Sequence, residues 1–442
     1  MQENEPVKET LLGMFPRFHE QESSPAKFTR ADISYDPTRL MPLKEIQELD
    51  KKFILQTYAR MPVSFAYGSG EFLYDADGTE YIDFLSGIAV TALGHANADL
   101  IGALTHQADL LWHTSNLFHN QQQALLARAL VEINFPGKVF FCNSGTEANE
   151  AAFKLMRAYG QKRSSGSGDK KVKIIALENS FHGRTFGAMS LTGQDKIHSG
   201  FGPIVPEVVY VPVNDIDALT KAFDAHTCGF ICELIQGEGG VLPLNQEFVA
   251  KARELCDQYS ALFCVDEIQT GLGRSGYYFS YQAYGFLPDI VTMAKGLGGG
   301  FPIGAMLVAE RFTDAFEVGM HGSTFGGNHL ATAVGYEVIR TIENNRILDN
   351  VREMSIYLVE KLEQLRKEMP QVIQSVRGMG LLLGIVLRDD IDARSLISKM
   401  LEKKIVVGRA GTNVIRLAPP LVLRTVTIDR AVDAIASVLR EI

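Results

Sequence analysis

A chain of 442 residues with 46% hydrophobic and 21% charged composition has material for two or three packed domains. Its net charge of −9 argues against a nucleic-acid binder, and no apolar run reaches the roughly 20 residues that a bilayer span requires. The five cysteines (Cys142, Cys228, Cys232, Cys256 and Cys264) form no C-x-x-C pair, so free thiols of a reducing compartment are expected rather than disulfides or a metal site. The opening "MQENEPVKETLL" is acidic and lacks an apolar segment, which predicts a cytoplasmic protein.

The first fifty or so residues carry Pro16, Pro25, Pro37 and Pro42 and read as a loosely structured leader ending in a short helix around "LKEIQELDKKFI". "FLYDADGTEYIDF" (72 to 84) has two aromatic-rich arms around Asp-Gly, a hairpin signal. The runs "KVFFCNS", "KIIAL", "EVVYVPV", "GFICELI", "ALFCVDE", "DIVTMAK" and "GAMLVAE" then alternate with helical patterns. Such alternation predicts an α/β domain with a largely parallel sheet covered on both faces. "KRSSGSGDKK" (162 to 171) reads as an exposed connection. After about residue 330 a long helical stretch runs to about Glu368, followed by "VRGMGLLLGIVL", a helix, "VIRLAPPLVL" and a closing helix. The expected division is a leader and N-terminal segment (1–88), a large domain (89–335) and a smaller C-terminal α+β domain (336–442).

Four segments carry candidate chemistry. Lys295 ends an apolar run and is followed by "GLGGGFPIG", which matches neither common phosphate-loop pattern. Taken alone it is an ordinary snorkelling lysine, though the glycines leave space for a flat ligand. Asp266 and Glu267 end another buried run, with Gln269 just beyond; alone, they are strand-end acids that cap or face solvent. The 29 residues between Asp266 and Lys295 span about one βαβ crossover, so adjacent parallel strands can bring both to one sheet edge. Ser144 and Glu147 form an S-x-x-E capping box, leaving the amides of Gly145 and Thr146 as an anion seat at a helix start. "NSFHGRTFG" puts Phe181 and Arg184 in a loop after a strand, with His182 reading as a hydrogen-bonded structural histidine. Together these describe a pyridoxal phosphate site, in which an amine, a carboxylate facing the ring nitrogen, a phosphate seat and a stacking aromatic converge.

From about Thr57 to its end the chain resembles the class III (ω-amino-acid) aminotransferases among the fold-type I pyridoxal phosphate enzymes, and within them most resembles acetylornithine aminotransferases. The matching stretches include "NSGTEANE", "FHGRTFG", "QGEGG", "VDEIQTGLGRSG", "PDIVTMAKGLGGGFPIGAM", "HGSTFGGN" and "VIRLAPPL". The resemblance implies that Lys295 binds the cofactor covalently and then moves the proton, while Asp266 keeps the ring nitrogen protonated. It implies that Gln269 bonds the ring hydroxyl, Phe181 stacks on the ring, and Gly145 and Thr146 hold the phosphate. Thr324 joins them from the other subunit of a homodimer. Arg184 takes a substrate carboxylate remote from the amine, and Arg416 takes the α-carboxylate of glutamate. Glu238 pairs with Arg416 when an ω-amine is bound, and Tyr58 lines the substrate channel. The implied substrates are N-acetylornithine and 2-oxoglutarate. Ornithine, succinylornithine, 4-aminobutyrate or acetyl-lysine are alternatives, and an aminomutase or decarboxylase on the same fold is a further one. Leu234 and His329 stand where the family usually has proline.

Overall fold

The computed structural model describes residues 40–164 and 170–442. Most of the expected leader and the centre of the Ser/Gly connection lie outside the described residues. Chain contacts divide the protein into two compact units with a boundary between Leu55 and Gln56. The described part of the first unit carries the helix Leu43–Phe53, with Glu45 in its first turn and Lys51 and Lys52 in its last, charges that suit the helix dipole.

The second unit is built on a seven-stranded sheet. Its order is Gly137–Cys142, Gly304–Ala309, Ile290–Met293, Leu262–Asp266, Thr227–Cys232, Lys173–Leu177 and Val208–Val211. Every pairing is parallel except the two made by Gly304–Ala309, which runs antiparallel to both neighbours. Every residue of Thr227–Cys232 and Leu262–Asp266 is buried, as strands covered on both faces require. The predicted mostly parallel α/β architecture is therefore present, with one reversed strand that hydrophobic pattern alone does not reveal.

The register between Leu262–Asp266 and Ile290–Met293 pairs Val265 with Val291 and Asp266 with Thr292. Lys295 follows three residues on, so the carboxylate and the amine meet at the carboxyl edge of the sheet. The predicted hairpin is formed by Phe72–Asp75 and Glu80–Asp83, with Phe72 opposite Ile82. Its turn is held by the Asp75 carboxylate, which accepts the amides of Asp77 and Thr79. Ile405–Val406 adds to this hairpin in parallel.

The C-terminal region contributes an antiparallel sheet in the order Ile373–Met379, Leu382–Leu387, Val414–Leu417, Gly408–Ala410. Arg416 lies on Val414–Leu417, between Gly384 and Gly408. The long helical stretch expected after residue 330 is two helices, His329–Asn344 and Ile347–Glu368. They break where Asn345 caps the first and Arg346 takes a left-handed φ of 52°, a conformation that cannot continue a right-handed helix. Among the described residues no helix is long and apolar enough to cross a membrane.

Candidate active site

A cavity of about 370 Å³ opens at the carboxyl edge of the parallel strands, where ligands of such sheets bind. Lys295, Asp266, Gln269, Gly145, Thr146, Phe181 and Arg184 all line it, so seven of the eleven candidate residues converge on one space.

Asp266 is 3% exposed, and its charge is met by three donors. Its Oδ2 lies 2.7 Å from His182 Nδ1 and accepts Asn149 Nδ2–H at 2.7 Å; its Oδ1 accepts the amide of Ile268 at 3.0 Å. Asn149 is itself fixed, because its Oδ1 accepts the hydroxyl of Thr292 at 2.8 Å and its amide also donates to the carbonyl of His182. Partners on both oxygens hold this buried carboxylate in one orientation. The His182 ring turns Nδ1 toward the Asp266 carboxylate. Its Nε2 is buried without a hydrogen-bond partner in the structure.

Lys295 holds a left-handed φ of 44°, a strained conformation for a side-chain-bearing residue. Burial pulls its amine down to about 8, and the charge of Arg416 adds to this; Glu238, Asp266 and Glu233 pull the other way. A substantial fraction of the amine is therefore neutral near physiological pH, which is the state a nucleophile needs. The glycines after it turn the chain more than they make room. A Cβ on Gly298 would lie 1.8 Å from the carbonyl oxygen of Phe301, and Gly299 and Gly300 have φ of +55° and +127°. Of these three, Gly300 lines the cavity.

The helix Gly145–Arg163 points its N-terminus at the same space. Ser144 Oγ accepts the amide of Glu147 at 3.3 Å, while the Glu147 carboxylate reaches back to the amide of Asn143 at 2.5 Å, one residue earlier than a standard capping box. The amides of Gly145 and Thr146 lie in the first turn and have no acceptor within the helix. A side chain on Gly145 would collide with Ile268 at 2.7 Å. The Thr146 hydroxyl oxygen is occupied, accepting the amides of Arg184 and Thr185 at 3.0 and 3.1 Å. This leaves the backbone as the anion seat and locks the Phe181–Thr185 loop onto the helix. In that loop the exposed Arg184 guanidinium lies 5.8 Å from the centre of the Phe181 ring.

The remaining four candidates lie outside the lining of this cavity. Arg416, 4% exposed, bonds Glu238 at 2.5 Å and the carbonyl of Gly237 at 3.4 Å. Burial pushes the Glu238 acid up, but the charge and hydrogen bond of Arg416 outweigh this and hold it below its ordinary value. The charges of both residues act on the Lys295 amine, in opposite directions. Tyr58 and Thr324 are exposed. Two site residues escaped the sequence reading. Glu233 directly follows Thr227–Cys232, while Asp266 ends the neighbouring strand, and the acid closing "GFICE" is the available signal. Asn149 sits inside a helix and offered no signal.

These residues fit pyridoxal phosphate: backbone amides for a phosphate, a buried carboxylate for a ring nitrogen, an aromatic ring, an amine of lowered basicity, and a buried Gln269 Oε1 that has no partner. The model of the family Aminotransferase class-III matches residues 54–439. The acetylornithine aminotransferase of Caldanaerobacter subterraneus subsp. tengcongensis is 46% identical over 393 residues, covering 89% of this chain and 98% of that protein. The acetylornithine/succinyldiaminopimelate aminotransferase of Yersinia pestis is 44% identical over 393 residues, covering 88% and 96%. The ornithine aminotransferase of Toxoplasma gondii, solved with pyridoxal phosphate at partial occupancy in its active site, superposes with a TM-score of 0.86 at 32% identity, covering 91% of this chain and 95% of that one. The chain belongs to the class-III aminotransferases and is a pyridoxal phosphate-dependent transaminase with the mostly parallel α/β fold of fold-type I.

Proposed function

We propose that this transaminase moves the ω-amino group of N-acetylornithine to 2-oxoglutarate, reversibly, as a step of arginine biosynthesis in the cytoplasm. The observation that carries this reading is the closed Glu238–Arg416 pair, whose charges act on the Lys295 amine. An ω-amine brings methylenes to the reacting end, and a buried guanidinium facing them needs a counter-charge, whose absence costs several kcal/mol. Glutamate brings its own α-carboxylate and takes the place of Glu238. Arg184, exposed at the other side of the cavity, suits the remote carboxylate common to both substrates. The acetyl group is supported by the names of the relatives. A second acylated diamine is the alternative reading, because the Yersinia relative is also named for succinyldiaminopimelate.

Bound pyridoxal phosphate supplies an electrophilic carbon and a ring that accepts the electrons released when the C–H bond next to the substrate amine breaks. Asp266, held by His182, Asn149 and the Ile268 amide, keeps a proton on the ring nitrogen and so strengthens that acceptance. Lys295 would hold the cofactor through Nζ, and its amine, free when substrate is bound, would take up the proton lost from the carbon next to the substrate amine. The amides of Gly145 and Thr146 would hold the phosphate, Phe181 would cover the ring, and Gln269 would offer its side-chain amide to the ring hydroxyl.

Thr324 is assigned to the phosphate of a second copy, making the protein a homodimer. Support comes from its surroundings. Asn116 donates to the carbonyls of Ser323 and Gly326, joining the 321–328 segment to one that exposes Trp112 (63%), Leu117 (87%) and Phe118 (69%), with Phe325 (61%) beside His113. An apolar patch of this kind marks an association surface. Tyr58 is assigned to the mouth of the substrate channel.

Single additions of N-acetylornithine, ornithine and 4-aminobutyrate to the purified protein, followed in the visible region, test the reaction. N-acetylornithine is expected to bleach the cofactor band fastest and 2-oxoglutarate to restore it; a band that responds to another amine alone would move the substrate. Glu238→Ala is expected to slow the N-acetylornithine half-reaction at least about tenfold more than the glutamate half-reaction. Equal losses in stopped-flow traces would remove the pairing model. Phe118→Asp, measured by sedimentation, is expected to yield monomers that lose cofactor on dialysis; a stable dimer would reject the assigned interface. A last expectation concerns Lys295 in the cofactor-free protein. Its amine is depressed to about 8, so the folded state binds fewer protons than the unfolded state between about 8 and the ordinary lysine value of 10.5, and stability rises with pH across that window. Lys295→Met should therefore gain about 1–3 kcal/mol in urea unfolding at neutral pH, with the gain gone by about pH 10.5. Parallel pH profiles for the two proteins would contradict a buried, mostly uncompensated amine.

A further inference from the structure

Glu233 follows the last residue of Thr227–Cys232, where Cys232 faces Val265 across the sheet. The register brings its carboxyl beside Asp266 at the cavity floor, where it is 3% exposed. Its two oxygens have separate tasks. Oε1 accepts the amide of Phe181 at 2.9 Å, and Oε2 accepts the amide of Gly237 at 3.2 Å. The first amide belongs to the loop that covers the cofactor ring. The second belongs to the turn that carries Glu238, and the carbonyl of the same Gly237 accepts from Arg416.

We propose that Glu233 is a positioning residue: as a carboxylate it clamps the ring-covering loop to the turn bearing Glu238, so that the cofactor seat and the substrate-end pair share one geometry. The proposal rests on the pyridoxal phosphate reading and on the Glu238–Arg416 pair. Its chemistry follows from the donor count. Both partners are N–H groups, and a carboxylate offers a lone pair to each; protonation, or replacement by an amide, turns a donor toward one of them and loses that bond. Burial first and Asp266 push the Glu233 acid up, His182 and its two amide bonds pull it down, and the net result is about 7. The other titratable groups in its field are Lys295, near 8, and Cys232, whose thiol burial holds far above its ordinary value. The clamp therefore weakens as pH falls through about 7.

The test compares the wild-type holoenzyme with Glu233→Gln. Visible circular dichroism of the bound cofactor, recorded without substrate from about pH 5.5 to about 8.5, reports the ring's seating. The wild type is expected to change amplitude with a midpoint near 7, and the variant to stay at the acid-form amplitude throughout. At the alkaline end the variant should slow the N-acetylornithine half-reaction about tenfold more than the glutamate half-reaction. A dichroic step near 7 that persists in Glu233→Gln, or equal losses in both half-reactions, would overturn the clamp. So would a wild type with no step near 7, which decides the matter even where the variant fails to fold. A wild type with no visible cofactor band would overturn the cofactor reading itself, and the clamp with it.

Discussion

The site depends first on the parallel register between Leu262–Asp266 and Ile290–Met293. Because Asp266 faces Thr292, the carboxylate, the Thr292 hydroxyl and Lys295 arrive at one sheet edge. Thr292 bonds Asn149, and Asn149 bonds Asp266, so two strands and the helix Gly145–Arg163 are tied through a single amide side chain. A shift of one residue in either strand would turn these side chains to the opposite face and separate the acid from the amine. The same helix that supplies Asn149 presents its free first-turn amides to the cavity. The Asp266 carboxylate and the free first-turn amides are thus positioned by one rigid body.

Charge placement follows from this arrangement. Asp266 has hydrogen-bond partners on both oxygens; Arg416 has Glu238; Lys295 relieves its own burial by losing basicity. Arg274 shows a contrasting solution. It is 2% exposed, burial pulls its guanidinium down to about 9, and it donates to the backbone carbonyls of Leu381 and Pro419. The Arg274 carbonyl in turn accepts the Leu381 amide. This fastens the segment after Gln269 to the C-terminal hairpin and to the residues that follow Arg416, joining the cofactor seat to the substrate end through the backbone.

Much of this was legible in the sequence because it depends on local rules. Buried strands appear as β-branched runs, the Ser144 cap as S-x-x-E, and the hairpin as Asp-Gly between aromatic arms. What was not legible depends on spatial neighbours. The reversal of Gly304–Ala309 changes no residue pattern, since an antiparallel strand buried on both faces reads like a parallel one. The break at Arg346 sits inside a continuous helical periodicity and is set by a single dihedral angle. Asn149 serves Asp266 across 117 positions in the chain. The glycines after Lys295 were read as space for a ligand, whereas Gly298 is required by its own contact with the Phe301 carbonyl. Glycine marks backbone demand, and that demand was intrachain there.

The two ends of the site differ in how firmly they are held, and the difference matches what each must do. At the cofactor end, Asp266 has three donors, Asn149 has bonds through both side-chain atoms, and the Phe181–Thr185 loop is fastened to Thr146 and Glu233. Preorganised dipoles of this kind act without reorganising during reaction. At the substrate end the half-buried Glu238 has a charged partner in Arg416, on a turn whose backbone is anchored by Gly411 and Arg377. A carboxylate on an anchored turn can give up one ion pair while its backbone stays in place. The backbone under Glu238 is fixed to the same frame as the Phe181–Thr185 loop. The carboxyl of Glu233, bonded to both, spans that junction.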